Sequence, residues 1–88
     1  MSNQHSQEFV REVKRTDSRY SNRSFDNISE EPSNSGFTVV YCEAGDEMFQ
    51  VAVSKSGEYE ITFFMNDDVH DYITVNSVDE AVEFVYTA

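Results

Sequence analysis

From Gly36 onward the apolar residues of this chain recur at every second position, which is the period of a β-strand with one buried face. The clearest run is 59–65, in which four apolar residues share one face: Tyr59, Ile61, Phe63 and Met65. The runs 36–43, 48–53 and 72–75 have similar strand character, and turn-forming residues separate all four runs. We therefore expect an antiparallel β-meander of three or four strands over about 37–75.

A different pattern follows this meander. Ser77 and Glu80 have the spacing of a capping box, in which the serine hydroxyl accepts from the Glu80 amide. Behind this cap, Val78, Ala81, Val82 and Val85 fall on one side of a helix. The pattern predicts a helix over about 77–86 that packs on one face of the sheet. The expected fold class is therefore α+β with two layers.

The first 35 residues are rich in Ser and Asn and hold few apolar side chains. Such a composition favours a mostly flexible arm, because it buries too little surface to offset its chain entropy. A short amphipathic helix is predicted within the arm at about 7–15, where Phe9, Val10 and Val13 share one face. We accordingly divide the chain into the arm, 1–35, and an acidic α+β domain, 36–88.

A domain of this size is small for one sheet and one helix to be stable alone. Three additions would compensate: docking of the 7–15 helix, a homodimer through an edge strand, or a bound partner. A helix of about ten residues is itself marginal in water, so we expect the 7–15 helix to form only when it is docked on the domain or on a partner.

The charge is concentrated in the second segment. Residues 37–88 hold eleven acidic residues and one basic residue, Lys55, whereas residues 1–36 hold six acidic and five basic residues. Direct binding to nucleic-acid phosphates is not expected, because that affinity requires clustered cations. No apolar run approaches the length of a membrane span and the N-terminus lacks signal-peptide character, so we expect a cytoplasmic protein.

Two clusters of residues have side chains that could carry chemistry. The segment 66–71 holds three carboxylates and His70, but it lacks the spacing of a calcium loop and is typical of a connection between strands. A second hypothesis is a nucleophilic site in which Cys42, His70 and Asp71 act together. Cys42, however, lies in the middle of a predicted strand, where a buried thiol is the ordinary outcome. We expect no enzyme activity, no cofactor and no metal.

The acidic residues are the better candidates for a site, since ordinary surfaces mix both signs of charge. Carboxylates repeated along a strand and a helix could present charge at the spacing of a nucleic-acid backbone. Aromatic side chains beside them would supply burial at an interface. The candidates for such an outward position are Phe64 and one or two of Tyr41, Tyr72 and Tyr86. The predicted partner-binding residues are Glu58, Glu60, Phe64, Asp67, Asp68, Asp71, Asp79, Glu80 and Glu83.

In size, acidity and expected fold, the chain is similar to small acidic inhibitors and DNA-mimic proteins, many of them made by phages against host defence enzymes. This likeness predicts a binding protein that occupies the basic nucleic-acid-binding surface of a partner protein. The alternative is an adaptor that binds through the arm, with Phe9, Val10 and Val13 folding onto the target and the acidity serving only solubility. A halophilic origin is a third explanation of the charge, although the Asn, Ser and Phe content argues against it.

Overall fold

The computed structural model describes residues 4–16, 23–33 and 35–88. These residues form two helices and five strands in chain order. The elements are α1 (Gln4–Thr16), β1 (Asn27–Pro32), β2 (Thr38–Ala44), β3 (Glu47–Val53), β4 (Tyr59–Met65), β5 (Asp68–Val75) and α2 (Val78–Thr87). The predicted α+β class is confirmed, and the predicted helices and the four later strands are all present.

The strands form one antiparallel sheet in sequential order, β1 to β5, so the meander has no crossover. Its central rows follow the predicted alternation: Cys42 lies opposite Phe49, and Phe49 lies opposite Phe63. Tight hairpins fix this register. In the β3–β4 connection, Gly57 has a φ of +91° and its amide donates to the Ser54 carbonyl at 3.2 Å.

The sheet has five strands rather than three or four because β1 comes from the segment predicted to be a flexible arm. Its sequence, Asn-Ile-Ser-Glu-Glu-Pro, has one apolar side chain, Ile28, and gives no alternating signal. Pairing with β2 orders it, since each of its six residues has a partner on that strand. The predicted arm also includes residues 1–3, 17–22 and 34, which lie outside the described residues.

One face of the sheet forms the core, and both helices cover it. The side chains of this covered face are almost completely excluded from solvent, at 0–1% exposure: Val40, Cys42, Phe49, Val51, Val53, Tyr59, Ile61 and Phe63. The opposite face, which we call the open face, carries half-buried or exposed residues: Val39, Tyr41, Glu43, Met48, Gln50, Ala52, Glu60, Thr62, Phe64, Tyr72 and Thr74. Among the described residues, neither helix lies on the open face.

Helix α2 begins as predicted. The Glu80 amide donates to Ser77 Oγ at 3.2 Å, and the serine hydroxyl in turn donates to the Glu80 carboxylate at 3.0 Å. Ala81 and Val85 are fully buried, which confirms the predicted apolar side of the helix. Tyr86 is buried with them, so the apolar stripe is wider than the sequence pattern indicated.

Helix α1 packs beside α2 instead of extending into solvent. Phe9 and Val13 are both 0% exposed, and the Tyr86 hydroxyl donates to the Val13 carbonyl at 2.6 Å. At the start of α1, His5 lies over Gly57, where an added Cβ would come within 3.2 Å of the imidazole. Helix α1 is thus docked on the protein's own core. That it forms only when docked stays a prediction.

Arg23 connects the N-terminal segment to both layers. Its guanidinium donates to the Glu47 carboxylate at 3.0 and 3.3 Å and to the main-chain oxygens of Val85 and Ala88 at 2.9 and 3.0 Å. The same group lies 4.9 Å from the centroid of the Phe49 ring. A cation at this position satisfies carbonyls at the end of α2 and complements the negative end of the helix dipole.

We predict that Arg23→Met destabilises the protein by about 3 kcal/mol. This value is at the low end for breaking a buried pair, because Glu47 retains 32% exposure while Arg23 has 7%. The matched control is Arg15→Met, which breaks the exposed Arg15–Glu12 pair and should cost about 1 kcal/mol or less. Urea unfolding of the two variants tests this, and equal losses would contradict the assigned role of Arg23.

Candidate partner-binding surface

Strand β5 starts at Asp68, four residues before the predicted start of the strand at Tyr72. Several predicted partner-binding residues therefore lie on or next to a strand. Asn66 and Asp67 have φ angles of 53° and 68°, so they form a tight two-residue turn of a kind that both residue types tolerate. The expectation of a loop over 66–71 followed by a strand at 72–75 is therefore wrong at its boundary. Asp68 and Asp71 lie on the strand, and their exposure reflects its position at the edge of the sheet.

The register of β5 contains one irregularity. Phe63 lies opposite Asp71, but Phe64 lies opposite Val69, so His70 is an extra residue in a bulge. The His70 ring packs edge-on against Phe63, with 5.4 Å between ring centroids. The bulge keeps Phe64 and Val69 on the open face while Asp71 lies on the helix side.

The predicted residues of β4 lie on the open face. Glu60 is half-buried there, and its carboxylate accepts a hydrogen bond from the Tyr72 hydroxyl at 3.1 Å. Phe64 is also half-buried, between Met48 and Val69 in register. Glu58 is exposed at the end of the β3–β4 hairpin, so it is at the margin of this face.

The tyrosines considered as interface residues differ in exposure. Tyr72 is 55% exposed and Tyr41 is half-buried, both on the open face. Tyr86 is fully buried, so the prediction that it could be an outward-facing interface residue is wrong. The reason is its place on α2 beside α1, where its hydroxyl finds the Val13 carbonyl and its ring contacts Phe25.

The acidic residues of α2 lie in the helix layer, away from the open face. Asp79, Glu80 and Glu83 are exposed, and Glu80 also takes part in the N-terminal cap. Glu80 and Glu83 line a shallow groove together with Ile73 and Val75 of β5. These two carboxylates therefore flank the edge of the sheet from the helix side.

The nine predicted residues consequently do not form one flat array. Glu60 and Phe64 lie on the open face, whereas Asp68 and Asp71 lie on the helix side of β5. Most of the nine residues instead lie near the edge strand β5. They lie on β5 itself, on the neighbouring strand β4, or in the groove between α2 and β5. We call this set of residues the β5 surface: Glu60, Phe64, Asp67, Asp68, Asp71, Glu80 and Glu83.

A hollow at the end of the sheet extends the β5 surface. It lies between the β2–β3 and β4–β5 turns, which are joined by a hydrogen bond of 3.0 Å from the Asn66 amide to the Asp46 carbonyl. Its lining adds residues that the sequence reasoning missed: Glu43, Asp46, Glu47 and Met48. Glu43 could have been found, since alternation along 38–44 and the short turn place it in register with Met48 and Phe64.

The hypothetical nucleophilic site is not assembled. Cys42, Phe49, Phe63 and Asp71 occupy one row across the sheet, so Cys42 and Asp71 are separated by three strand spacings, or about 14 Å. Burial raises the pKa of the Cys42 thiol to about 12. In the described ranges 4–16, 23–33 and 35–88, no group of three or more His, Cys, Asp or Glu residues is arranged to hold a metal ion.

We predict that Cys42 resists alkylation in the folded protein. With its pKa near 12, the thiol is protonated at pH 8, and the nucleophilic thiolate is a very small fraction. Iodoacetamide labelling followed by mass spectrometry should be slow under native conditions and fast in concentrated urea. Rapid native labelling would contradict both the burial and the raised pKa.

No protein-family model matches the chain, and comparisons with curated proteins and with solved structures also find no match. None of the helices in the described part of the chain combines the length and the apolar character required to cross a membrane.

Proposed function

We propose that this chain is a small acidic, non-enzymatic binding protein of the cytoplasm that inhibits a partner by occupying its basic nucleic-acid-binding surface, in the manner of a DNA mimic. The observation that carries the proposal is the sign of the charge on the sheet. The five strands contain no Lys or Arg. A surface of one sign steers an oppositely charged partner and raises the rate of encounter.

None of the predicted carboxylates forms an ion pair with a cation of the described chain. Within the described residues, the two ion pairs use Glu12 and Glu47, neither of which belongs to the predicted set. The exposed cations of the described chain are Lys55 in a hairpin and three residues of α1: Arg11, Lys14 and Arg15. The basic residues of α1 therefore lie in the helix layer, whereas β4 and β5 carry acidic residues and no Lys or Arg.

The aromatic residues supply the short-range part of the interaction. Tyr72 lies on the open face with its hydroxyl on the Glu60 carboxylate, so a partner that covers this ring would also desolvate the carboxylate. Phe64 lies farther along the same face, opposite Val69. Burial of aromatic side chains contributes most of the affinity at many interfaces, whereas exposed charges contribute more to specificity and association rate. Phe64 and Tyr72 are thus the proposed anchors.

The adaptor alternative requires apolar residues that the fold already uses. Phe9 and Val13 are fully buried against the chain's own core, and Val10 packs partly against it. Deletion of residues 1–35 would remove α1 and β1 and uncover that core. Surface substitutions therefore separate the two functions better than truncation does.

We predict that neutralising two acidic residues of the β5 surface, Asp68→Asn with Glu83→Gln, weakens binding of the partner about three- to tenfold at 0.1 M salt. The effect should shrink at about 0.5 M salt, where exposed charges are screened. The partner is obtained by affinity capture from a lysate, and it must be a nucleic-acid-binding protein that added nucleic acid displaces.

The matched control is Glu8→Gln with Glu31→Gln, which changes the net charge equally on α1 and β1. It should leave affinity nearly unchanged. If both pairs of substitutions weaken binding equally, only net charge matters and the β5 surface is not the site. A captured partner that nucleic acid does not displace would overturn the proposed function.

A further inference from the structure

Strand β5 is an edge of the sheet. It pairs with β4 on one side, and no strand of the described chain pairs with its other side. It is eight residues long, Asp68–Val75, and most of its side chains are exposed. Edge strands of this length are templates for pairing with another chain unless something blocks them.

The hydrogen-bond pattern shows which main-chain groups of β5 point outward. The Ser54 amide donates to the Glu58 carbonyl, so Glu58 and every second residue after it direct their main-chain groups toward β3. Tyr59, Ile61 and Phe63 therefore bond to β5, through the partners Val75, Ile73 and Asp71. The alternate residues Tyr72 and Thr74 consequently present their amides and carbonyls to the outside.

The outward amide of Tyr72 confirms this assignment. It donates to the Asp71 carboxylate at 2.8 Å, a bond within the strand that satisfies the amide in the free protein. A carbonyl from an added strand could take the place of this carboxylate. Asp71 would then be released and could pair with a cation on the incoming chain.

The side chains along β5 favour a particular occupant. Val69 and Tyr72 are 65% and 55% exposed, and they are the exposed large hydrophobic residues of the described chain. Asp68 and Asp71 lie on the same strand, with Glu83 flanking it from α2. An extended segment with basic residues would neutralise these carboxylates and cover both apolar side chains.

We propose that β5 accepts an extended basic segment of the partner protein as a sixth strand of the sheet; this inference rests on the proposed function and specifies its mode of contact. A second copy of this chain is a poorer occupant, because β5 paired with β5 brings like charges together. The opposite edge, β1, is also poorer, since Pro32 has no amide to donate and β1 exposes no large apolar side chain.

Two labelled peptides test the mode of contact. Both alternate arginine with valine over eight residues, and in the second every backbone amide is N-methylated, which keeps the charge but removes the main-chain donors. Fluorescence anisotropy at 0.1 M salt should show the unmethylated peptide binding at least about tenfold more tightly. Equal affinities, or no binding by either peptide, would overturn strand addition.

Two variants at one position locate the contact. Thr74→Pro removes one of the two outward amides and leaves the bonds to β4 in place, so it should weaken binding of the unmethylated peptide toward the affinity of the methylated one. Thr74→Ala keeps the amide and should remain within about twofold of the parent, since it removes only the side chain. Equal binding by the two variants would overturn the assignment to β5, even if the peptide binds elsewhere.

These outcomes are separable from failure of the proposed function. If the peptides bind equally while Asp68→Asn with Glu83→Gln still weakens the captured partner, the acidic surface remains the site and only strand addition is overturned. If the captured partner is indifferent to those substitutions, the proposed function fails. The thermal midpoint of Thr74→Pro, measured without peptide, shows whether that variant is folded, and the peptide comparison on the parent protein does not depend on it.

Discussion

One face of the sheet is apolar and must be shielded from water, and helices α1 and α2 cover it together. If α2 covered the sheet alone, Tyr59 would lose its ring contact with Phe9 of α1, in which the ring centroids are 5.9 Å apart. The hydrogen bond from Tyr86 to the Val13 carbonyl joins the helices inside the core, where an unsatisfied hydroxyl would be costly. This explains how a meander of about 50 residues, which is small for a stable domain, is completed without disulfides.

The charged residues have distinct positions in this two-layer fold. A chain with a net charge of −11 repels itself, and the few cations have distinct positions in the described structure. Arg23 is almost buried, where it neutralises Glu47 and holds the end of α2. The exposed cations of α1 lie in the helix layer. Around β5 the carboxylates have no cation of the described chain paired with them, which is the physical basis of the proposed partner binding.

The meander and the C-terminal helix could be predicted because their signals are local. Alternation along 59–65 and the Ser77–Glu80 cap each correspond to an element that the structure contains. β1 could not be predicted from its own residues, since its order comes from pairing with β2. The start of β5 was missed for a related reason: Asn66 and Asp67 are turn residues, but the sequence does not show that two of them suffice.

The candidate surface was predicted only in part. Acidic residues were found by composition, and strand parity placed Glu60 and Phe64 on one face. Their relation to the α2 carboxylates depends on helix packing, which no local pattern encodes. Tyr86 was misjudged because its environment is created by α1. Glu43, in contrast, could have been found from strand alternation, which places it in register with Met48 and Phe64.

Native-state hydrogen exchange of the free protein shows whether the sheet and both helices form one unit with β5 open at its edge. Amides near Val13 are expected to exchange with the same free energy as those of β3, because α1 opens only when the whole domain unfolds. The Thr74 amide is expected to exchange fast, because it points outward. Fast exchange throughout α1, or strong protection of Thr74 in the free protein, would contradict this arrangement.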